Sequence, residues 1–281
     1  MVSRGGERPV FGPARLSCHV ARQSSALERR TPTDISAKEP AGGTVVADDQ
    51  PGDLWEQSVG HLHDIRSRLV EGPGSIGQKR RAGRWELLAS TFPKIGTMHV
   101  IDLGGTPRSW MRAPIHPATV HVVNLDGRET EESLPDWITF EQGDACVLPK
   151  HLLDRRFDLV YSNSVIEHVG GHAQRRRFAE SVHTLGERYW VQTPYRYFPI
   201  EPHWLFPGFQ FLPVKAQATI SQQWPLMHTR SSSAEAAVRA ALQVELLSQT
   251  EMRHYFPDCR IVKERMAGLT KSIIAVRVIT E

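Results

Sequence analysis

The sequence predicts a doubly wound α/β domain built on a seven-stranded, mostly parallel sheet. The first observation is that seven short strand-like runs lie between residues 98 and 279, most of them separated by helical or loop stretches. This alternation is typical of parallel sheets covered by helices. The second is composition, since 40% of the 281 residues are hydrophobic and 23% are charged. These fractions are ordinary for a globular domain and exclude collagen, coiled-coil and wholly disordered classes.

Residues 1–50 lack this pattern, because they are rich in Arg, Ser, Pro and Gly and have no apolar period. Such a segment buries too little apolar surface to offset the entropy of ordering, so we expect a disordered tail before a domain over residues 51–281. Two helices are expected to lead into the sheet. Apolar residues at roughly helical spacing predict the first over Leu54–Leu69, and Arg81–Phe92 is predicted to be the second.

The strand candidates are short apolar runs, the first five of which end at polar, Gly or Pro residues. They are Met98–Leu103, Thr119–Leu125, Trp137–Glu141, Phe157–Ser162, Arg188–Gln192, Arg260–Arg265 and Lys271–Ile279. A Pro- and aromatic-rich stretch follows the fifth candidate, and one long helix is expected near residues 233–255. Because ligands bind beyond the carboxyl ends of such strands, we interpret residues 193–257 as an insertion that caps the substrate side.

Charge and cysteine content narrow the functional classes. Lys and Arg exceed Asp and Glu by only 34 to 31, and this net charge of +3 does not indicate a nucleic-acid partner. The three cysteines lie far apart, so neither a disulfide framework nor a CxxC metal site is expected, and a reducing cytoplasmic location fits best. No uncharged apolar run reaches the roughly 18 residues of a membrane span. The oligomeric state is not indicated.

The most informative segment is HVIDLGGTP, residues 99–107, in which a strand ends near Asp102 and two glycines follow. Gly104 and Gly105 permit a positive φ and let a ligand approach the main chain closely. The G-x-G-x-x-G pattern of dinucleotide sites is absent. Since the Asp102 carboxylate would repel a phosphate and attract an ammonium, we expect a cationic ligand. S-adenosylmethionine fits, because it carries an ammonium and a sulfonium and has no phosphate.

The next strand ends offer polar groups for a nucleoside. Asn124 or Asp126 could meet the ribose hydroxyls; both lie on one side of the strand, which leaves the choice open. Asp144 follows the third strand, where it could accept a hydrogen bond from an adenine amino group while Ala145 offers its amide. An ordinary turn is the alternative reading of Asp144.

The fourth strand and its exit, FDLVYSNSVIEHVG, hold the polar side chains expected nearest the transferable group. They are Ser162, Asn163, Glu167 and His168. Taken in order, these motifs resemble the class I S-adenosylmethionine-dependent methyltransferase family, specifically its broad small-molecule branch of the methyltransferase type 11 kind. The resemblance covers roughly Arg84–Ile279.

This resemblance implies a Rossmann-like fold with N-terminal helices and a cap insertion after the fifth strand. It assigns Asp102, Gly104 and Gly105 to the first cofactor motif, Asn124 or Asp126 to the ribose and Asp144 to the adenine. The run GLTKSIIAVRV, residues 268–278, resembles the seventh strand, which lies antiparallel beside the fifth. The sequence departs from the family in GGTPRS, which replaces the three-glycine G-x-G-x-G, and in Asn124, where a carboxylate is more usual.

Acceptor-side candidates follow the fifth strand in TPYRYFPIEPHWLFPGFQFLP, residues 193–213. A methylated hydroxyl must lose its proton, and His203 is our candidate base, with Glu201 as its orienting partner. His168 is the rival base, and a rigid structural loop is the alternative reading of the Glu201–His203 pair. His168 and His172 are four residues apart, but the glycines between them oppose the helix that would bring both to a metal, so no metal is expected.

Together these features predict a methyltransferase that uses S-adenosyl-L-methionine and acts on a hydroxyl or carboxyl of a small molecule or a sugar- or lipid-linked acceptor. The shortened glycine motif motivates one alternative, a catalytically inactive S-adenosylmethionine-binding module with the same fold. A nicotinamide-dependent oxidoreductase is disfavoured because its glycine fingerprint is missing. A nucleic-acid acceptor is not expected. The segment TPYRY resembles the N-P-P-Y signature of amino-methylating nucleic-acid enzymes, but that signature follows the fourth strand, whereas TPYRY follows the fifth and the fourth is followed by SNSV.

Overall fold

A computed structural model describes residues 76–127, 133–224 and 233–279, with side chains described from residue 81 onward. The predicted tail over residues 1–50 and the predicted helix Leu54–Leu69 lie outside these described residues.

The described residues form a seven-stranded sheet, whose strands are β1 His99–Leu103, β2 Thr119–Asn124, β3 Ile138–Gln142, β4 Leu159–Asn163, β5 Tyr189–Pro194, β8 Arg260–Met266 and β9 Leu269–Arg277. Their order across the sheet is β3-β2-β1-β4-β5-β9-β8. The pairings from β3 across to β5 are parallel, whereas β9 is antiparallel to both β5 and β8. This is the doubly wound, mostly parallel sheet that the sequence predicts, and all seven strand candidates are confirmed to within two residues.

Helices and short connections surround this sheet. The helices are α1 Ile76–Thr91, α2 Pro107–Met111, α3 Lys150–Leu153, α4 His172–Leu185, α5 Val214–Gln223, α6 Ala234–Leu242 and α7 Gln249–Tyr255, and a separate two-stranded ribbon joins β6 Ile200–Glu201 to β7 Phe206–Pro207. The predicted helix Arg81–Phe92 is confirmed as part of α1. Among the described residues no helix combines the length and apolar character needed to cross a membrane.

Both faces of the sheet are buried, which explains why its central strands are apolar almost throughout. Successive side chains along a strand point to opposite faces. In β1, Ile101 and Leu103 pack with α4 and α7 residues in one core cluster, whereas Val100 packs with Trp110 and α1 residues in the other. Asp102 shares the face of Val100, so its carboxylate is directed toward the α1 and α2 side.

The prediction of one long helix near residues 233–255 is wrong, because the segment folds as two helices, α6 and α7. Between them Leu247 forms a parallel bridge with Tyr195 and accepts a hydrogen bond from the Arg196 main chain. The second helix then begins at a capping box, in which the Ser248 and Glu251 side chains each bond the other's main chain. The S-x-x-E pattern indicates the start of a helix. In the sequence the apolar residues before it continue the helical spacing and hide this start.

Candidate functional site

A cleft of about 880 Å³ opens at the carboxyl ends of β1 and β4. Sheet order reverses between these two strands, and ligands of open α/β sheets bind at such a switch point. Its lining comes from α1, the loop after β1, α2 and the end of β4. The lining residues are Arg81, Ala82, Arg84, Trp85, Asp102, Gly104, Gly105, Thr106, Arg108, Ser109, Arg112, Pro114, Tyr161 and Asn163.

Asp102 is the buried acid of this cleft, with 1% of its surface exposed. Its Oδ2 accepts a hydrogen bond from Trp110 Nε1 at 2.7 Å, while its Oδ1 has no hydrogen-bond partner. Burial raises the pKa of Asp102 to about 7, although hydrogen bonds from Trp110 and the Gly105 main chain act in the opposite direction. A buried oxygen without a donor is costly, so Oδ1 can accept from a cationic ligand in the cleft.

The two glycines after β1 are needed at their positions. Gly104 has φ +84°, and a Cβ on it would come within 2.6 Å of the Val165 side chain. A Cβ on Gly105 would fall 1.8 Å from Asp102 Oδ2. Gly104 is therefore required by the turn and by Val165, and Gly105 by the acid beside it.

Asn124 holds this loop in place rather than facing the cleft. Its Nδ2 donates to the main-chain oxygens of Gly104 and Gly105 at 3.2 and 2.7 Å, and its Oδ1 accepts from the Asp126 main chain at 3.0 Å. The Asp126 side chain is exposed beyond β2. The choice between the two residues, open in the sequence, therefore shifts toward Asp126 as the one with a side chain directed outward.

The predicted adenine contacts lie at the end of β3, outside the lining of the cleft described above. Asp144 Oδ1 accepts from the Cys146 main chain at 2.8 Å, which closes a local turn. Ala145 belongs to the core cluster under α4. Asn163, in contrast, lines the cleft, and its Oδ1 accepts from Arg84 Nη1 at 2.6 Å.

Four arginines around the cleft were not singled out in the sequence: Arg81, Arg84, Arg108 and Arg112. Arg84 joins α1 to β8 through a two-point ion pair, with Nε and Nη2 each 2.8 Å from a Glu264 oxygen. Burial opposes the Arg84 charge, but the Glu264 carboxylate outweighs it and raises the pKa of Arg84 above its ordinary value. Arginines on a helix face are usually solvated, so their positions in the sequence do not indicate a cleft until α1 is placed over the sheet.

A second cluster lies where β4 exits and the β6 ribbon begins. Glu201 is 1% exposed, and its Oε2 accepts from the main chains of His203 and Trp204 at 2.7 and 2.9 Å. Its Oε1 lies 2.6 Å from His203 Nδ1. On the other side of that ring, His203 Nε2 lies 3.2 Å from His168 Nε2. The three candidate catalytic residues are thus brought together.

Glu167 completes this cluster and was only a polar candidate in the sequence. Its side chain is fully buried, with Oε2 accepting from Thr193 Oγ1 at 2.9 Å and Oε1 lying 4.0 Å from His168 Nε2. Burial raises the pKa of Glu167 to about 7. Burial, aided by the neighbouring His203, lowers the pKa of His168 to about 4. His172 is elsewhere, bonded to Tyr255 Oη at 2.9 Å.

Comparisons with known proteins give distant structural similarities. No family model matches the chain, and no curated protein matches it. The chain is similar to the N-terminal domain of EvdMO1 solved with SAH and D-fucose, at 14% identity and TM-score 0.44, over 81% of this chain and 96% of that one. It is also similar to magnesium protoporphyrin IX methyltransferase from Synechocystis PCC 6803, at 13% identity and TM-score 0.45, over 80% and 97%. DhpI bound to SAH matches at 14% and 0.45, over 81% and 97%. The fold class stands on the strand order above.

Proposed function

We propose that this chain is an S-adenosylmethionine-dependent methyltransferase acting on a hydroxyl or carboxyl oxygen of a small molecule or a sugar- or lipid-linked acceptor. The observation that carries the proposal is the buried Asp102 carboxylate beside the Gly104–Gly105 turn, with Oδ1 unpartnered, in a sheet of this strand order. A buried carboxylate oxygen without a donor calls for a cationic ligand group, and the absence of a phosphate-binding fingerprint disfavours nucleotides.

The residues of the cleft fit S-adenosylmethionine at its methionyl end. Asp102 Oδ1 would accept from the ammonium, and the two glycines leave the main chain open to close approach. Arg108 and Arg112, on α2 and at its end, supply positive charge for the α-carboxylate. When bound, the cofactor supplies an electrophilic methyl group on a positively charged sulfur.

The nucleoside contacts remain part of the proposal. Asp126 is the better candidate for the ribose hydroxyls, because Asn124 already bonds both glycine carbonyls. Asp144 and Ala145 are proposed for the adenine edge, with Asp144 also closing its turn. Asn163 lines the cleft at the end of β4, where Arg84 fixes its side chain.

On the acceptor side, we assign the proton-accepting role to the pair His203 and His168. The Glu201 carboxylate at His203 Nδ1 favours the tautomer with the proton on that nitrogen, so Nε2 is left to accept. His168 is neutral near pH 7, since its pKa is lowered. The described parts of residues 193–257 would form the wall of the acceptor pocket, and Trp204 and Phe209 stack there with centroids 4.4 Å apart. Positioning of the acceptor and exclusion of water would supply most of the rate.

Thermal melting with S-adenosylhomocysteine, NAD and ATP, each in a separate sample, tests the binding part of the proposal. A ligand at 100 times its dissociation constant should add about 2.7 kcal/mol to the stability of the protein. We expect stabilisation by S-adenosylhomocysteine alone. Stabilisation by NAD alone would overturn the proposal in favour of an oxidoreductase, and binding without turnover on any oxygen acceptor would favour the inactive binding module.

A further inference from the structure

We infer that Glu167, His168 and His203 form a binding site for a divalent transition-metal ion of the class that imidazole nitrogens prefer, such as Zn²⁺. Each residue offers one donor atom, and these three atoms all lie within 4.8 Å of one another. Two imidazoles and one carboxylate are a common ligand set for Zn²⁺ and for Fe²⁺, whereas Mg²⁺ and Ca²⁺ prefer oxygen ligands. The inference does not depend on methyl transfer.

The distances match tetrahedral coordination closely for the two histidines. With metal–nitrogen bonds of about 2.0 to 2.1 Å, two tetrahedral ligands lie about 3.3 Å apart. His168 Nε2 and His203 Nε2 are separated by 3.2 Å. Glu167 Oε1 is 4.0 Å from His168 Nε2 and within 4.8 Å of the His203 donor atom, so the carboxylate would have to move closer to both nitrogens to complete the set.

Each of the three residues is held by a second partner, as metal ligands usually are. His203 Nδ1 lies 2.6 Å from the buried Glu201 carboxylate, and Thr193 Oγ1 donates to Glu167 Oε2 at 2.9 Å. The Gln243 main chain hydrogen-bonds the His168 ring. Because Nε2 of that ring faces His203, we take Nδ1–H as the donor. All three ligand atoms are thereby directed at one another.

This arrangement leaves two imidazole lone pairs facing each other. With the Nδ1 hydrogens used by Glu201 and by Gln243, the Nε2 atoms of His203 and His168 repel unless a positive charge lies between them. A shared proton would satisfy the two nitrogens but would leave Glu167 Oε1, buried and without a partner, unsatisfied. A metal ion binds all three atoms at once, and this third atom favours the metal over the proton.

The site is accessible and keeps a coordination position open. The side chains of His168 and His203 are 40% and 28% exposed, so an ion can enter from solvent. Three protein ligands leave a fourth position for water or for an acceptor oxygen, which is the pattern of catalytic rather than structural zinc sites. In the loaded protein the ion would lower the pKa of a bound hydroxyl and would take over the proton-removing task assigned above to the histidine pair.

The test uses the full chain, stripped with a chelator and titrated with Zn²⁺ by calorimetry and with Co²⁺ by visible absorption. We expect one ion per chain. His203→Ala and His168→Ala should abolish the binding, and Glu201→Gln should weaken it by about 10- to 100-fold. His151→Ala is the matched control, since this exposed histidine also pairs with a glutamate, Glu141, at 3.0 Å, and it should bind as the wild type does.

Two results would overturn the metal site: the wild-type chain binds no stoichiometric ion, or the three variants bind the ion as well as the wild type does. The proton shared by the two histidines would then be the explanation of their contact. Glu167→Gln tests the carboxylate ligand, and thermal melting confirms that each protein is folded. S-adenosylhomocysteine binding is measured on the same samples. A wild-type chain that binds S-adenosylhomocysteine but no metal would refute the metal site alone. A wild-type chain that binds metal but no S-adenosylhomocysteine would refute the proposed methyltransferase while the metal site stands.

Discussion

Asp102→Asn should raise the stability of the ligand-free protein and, at the same time, lower its affinity for the cofactor. Asparagine has the shape of aspartate, so its oxygen can keep the hydrogen bond from Trp110 Nε1. Its amide NH₂ then occupies the position of Oδ1 and would meet the cofactor ammonium with a donor instead of an acceptor. Losing a charge-assisted hydrogen bond costs about 1.5 to 3 kcal/mol, which corresponds to a rise of roughly 10- to 150-fold in the dissociation constant.

The effect on stability follows from the raised pKa of Asp102. In the unfolded chain the carboxyl ionises near its ordinary value, whereas burial holds the folded-state pKa at about 7. As pH rises from about 4 to 7, the unfolded state loses its proton first, so the folded state is progressively destabilised. About 3 pH units at roughly 1.4 kcal/mol each give on the order of 4 kcal/mol. Asp102→Asn does not titrate and should lack this loss.

The assay is denaturant unfolding of both proteins at a series of pH values, with calorimetry of S-adenosylhomocysteine and of an analogue lacking the amino group. We expect the stability difference in favour of the variant to grow between pH 4 and pH 7, and only the amino-bearing ligand to lose affinity. Equal losses for both ligands would refute the ammonium contact. A stability difference that does not change with pH would refute the raised pKa of the buried Asp102.

The remaining predictions concern the other contacts of the site. Asp144→Ala should weaken adenosine-containing ligands more than an inosine analogue, measured by calorimetry; equal losses would contradict the adenine contact. His203→Ala should lower turnover by about 10² to 10⁴ and leave S-adenosylhomocysteine affinity unchanged, and near-normal turnover on an identified acceptor would remove it from the mechanism. His168→Ala is its comparison, and a rise in the cofactor dissociation constant would place His168 at the methionyl end instead. Glu264→Gln should lower the melting temperature, because it leaves the partly buried Arg84 charge without its carboxylate partner; an unchanged melting temperature would show that the Arg84–Glu264 pair is not structural.

The central strands β1, β4 and β5 were predictable because burial on both faces produces the same apolar run in each of them. Val100, Ile101 and Leu103 are apolar whichever face they occupy, so no knowledge of the neighbouring helices is needed to recognise the run. The break between α6 and α7 was not predictable in this way. There Leu246 and Leu247 are buried by non-local contacts, including the bridge to Tyr195, and their apolar character mimics helical periodicity.

The shortened glycine motif illustrates what a motif comparison misses. A third glycine is not needed here, because Asn124 binds the carbonyls of Gly104 and Gly105 and fixes the turn from the neighbouring strand. Thr106 and Pro107 then begin α2, with the threonine side chain accepting from the Ser109 main chain and proline at the first helical position. The amide at position 124, a departure from the family pattern, therefore compensates for the departure in the glycines.

The remaining features of the site could not be predicted because they join residues that are far apart in sequence. His168 and His203 are 35 positions apart, and no spacing rule joins them until β4 and the β6 ribbon are placed side by side. By spacing, His168 pairs only with His172, a pair that the glycines between them already excluded as a metal site, and in the structure His172 is bonded to Tyr255. Glu167 could not be identified as a ligand from the sequence either. It is adjacent to His168, but only its complete burial and its unpartnered Oε1 distinguish a ligand from an ordinary loop acid, and neither property can be obtained from one sequence.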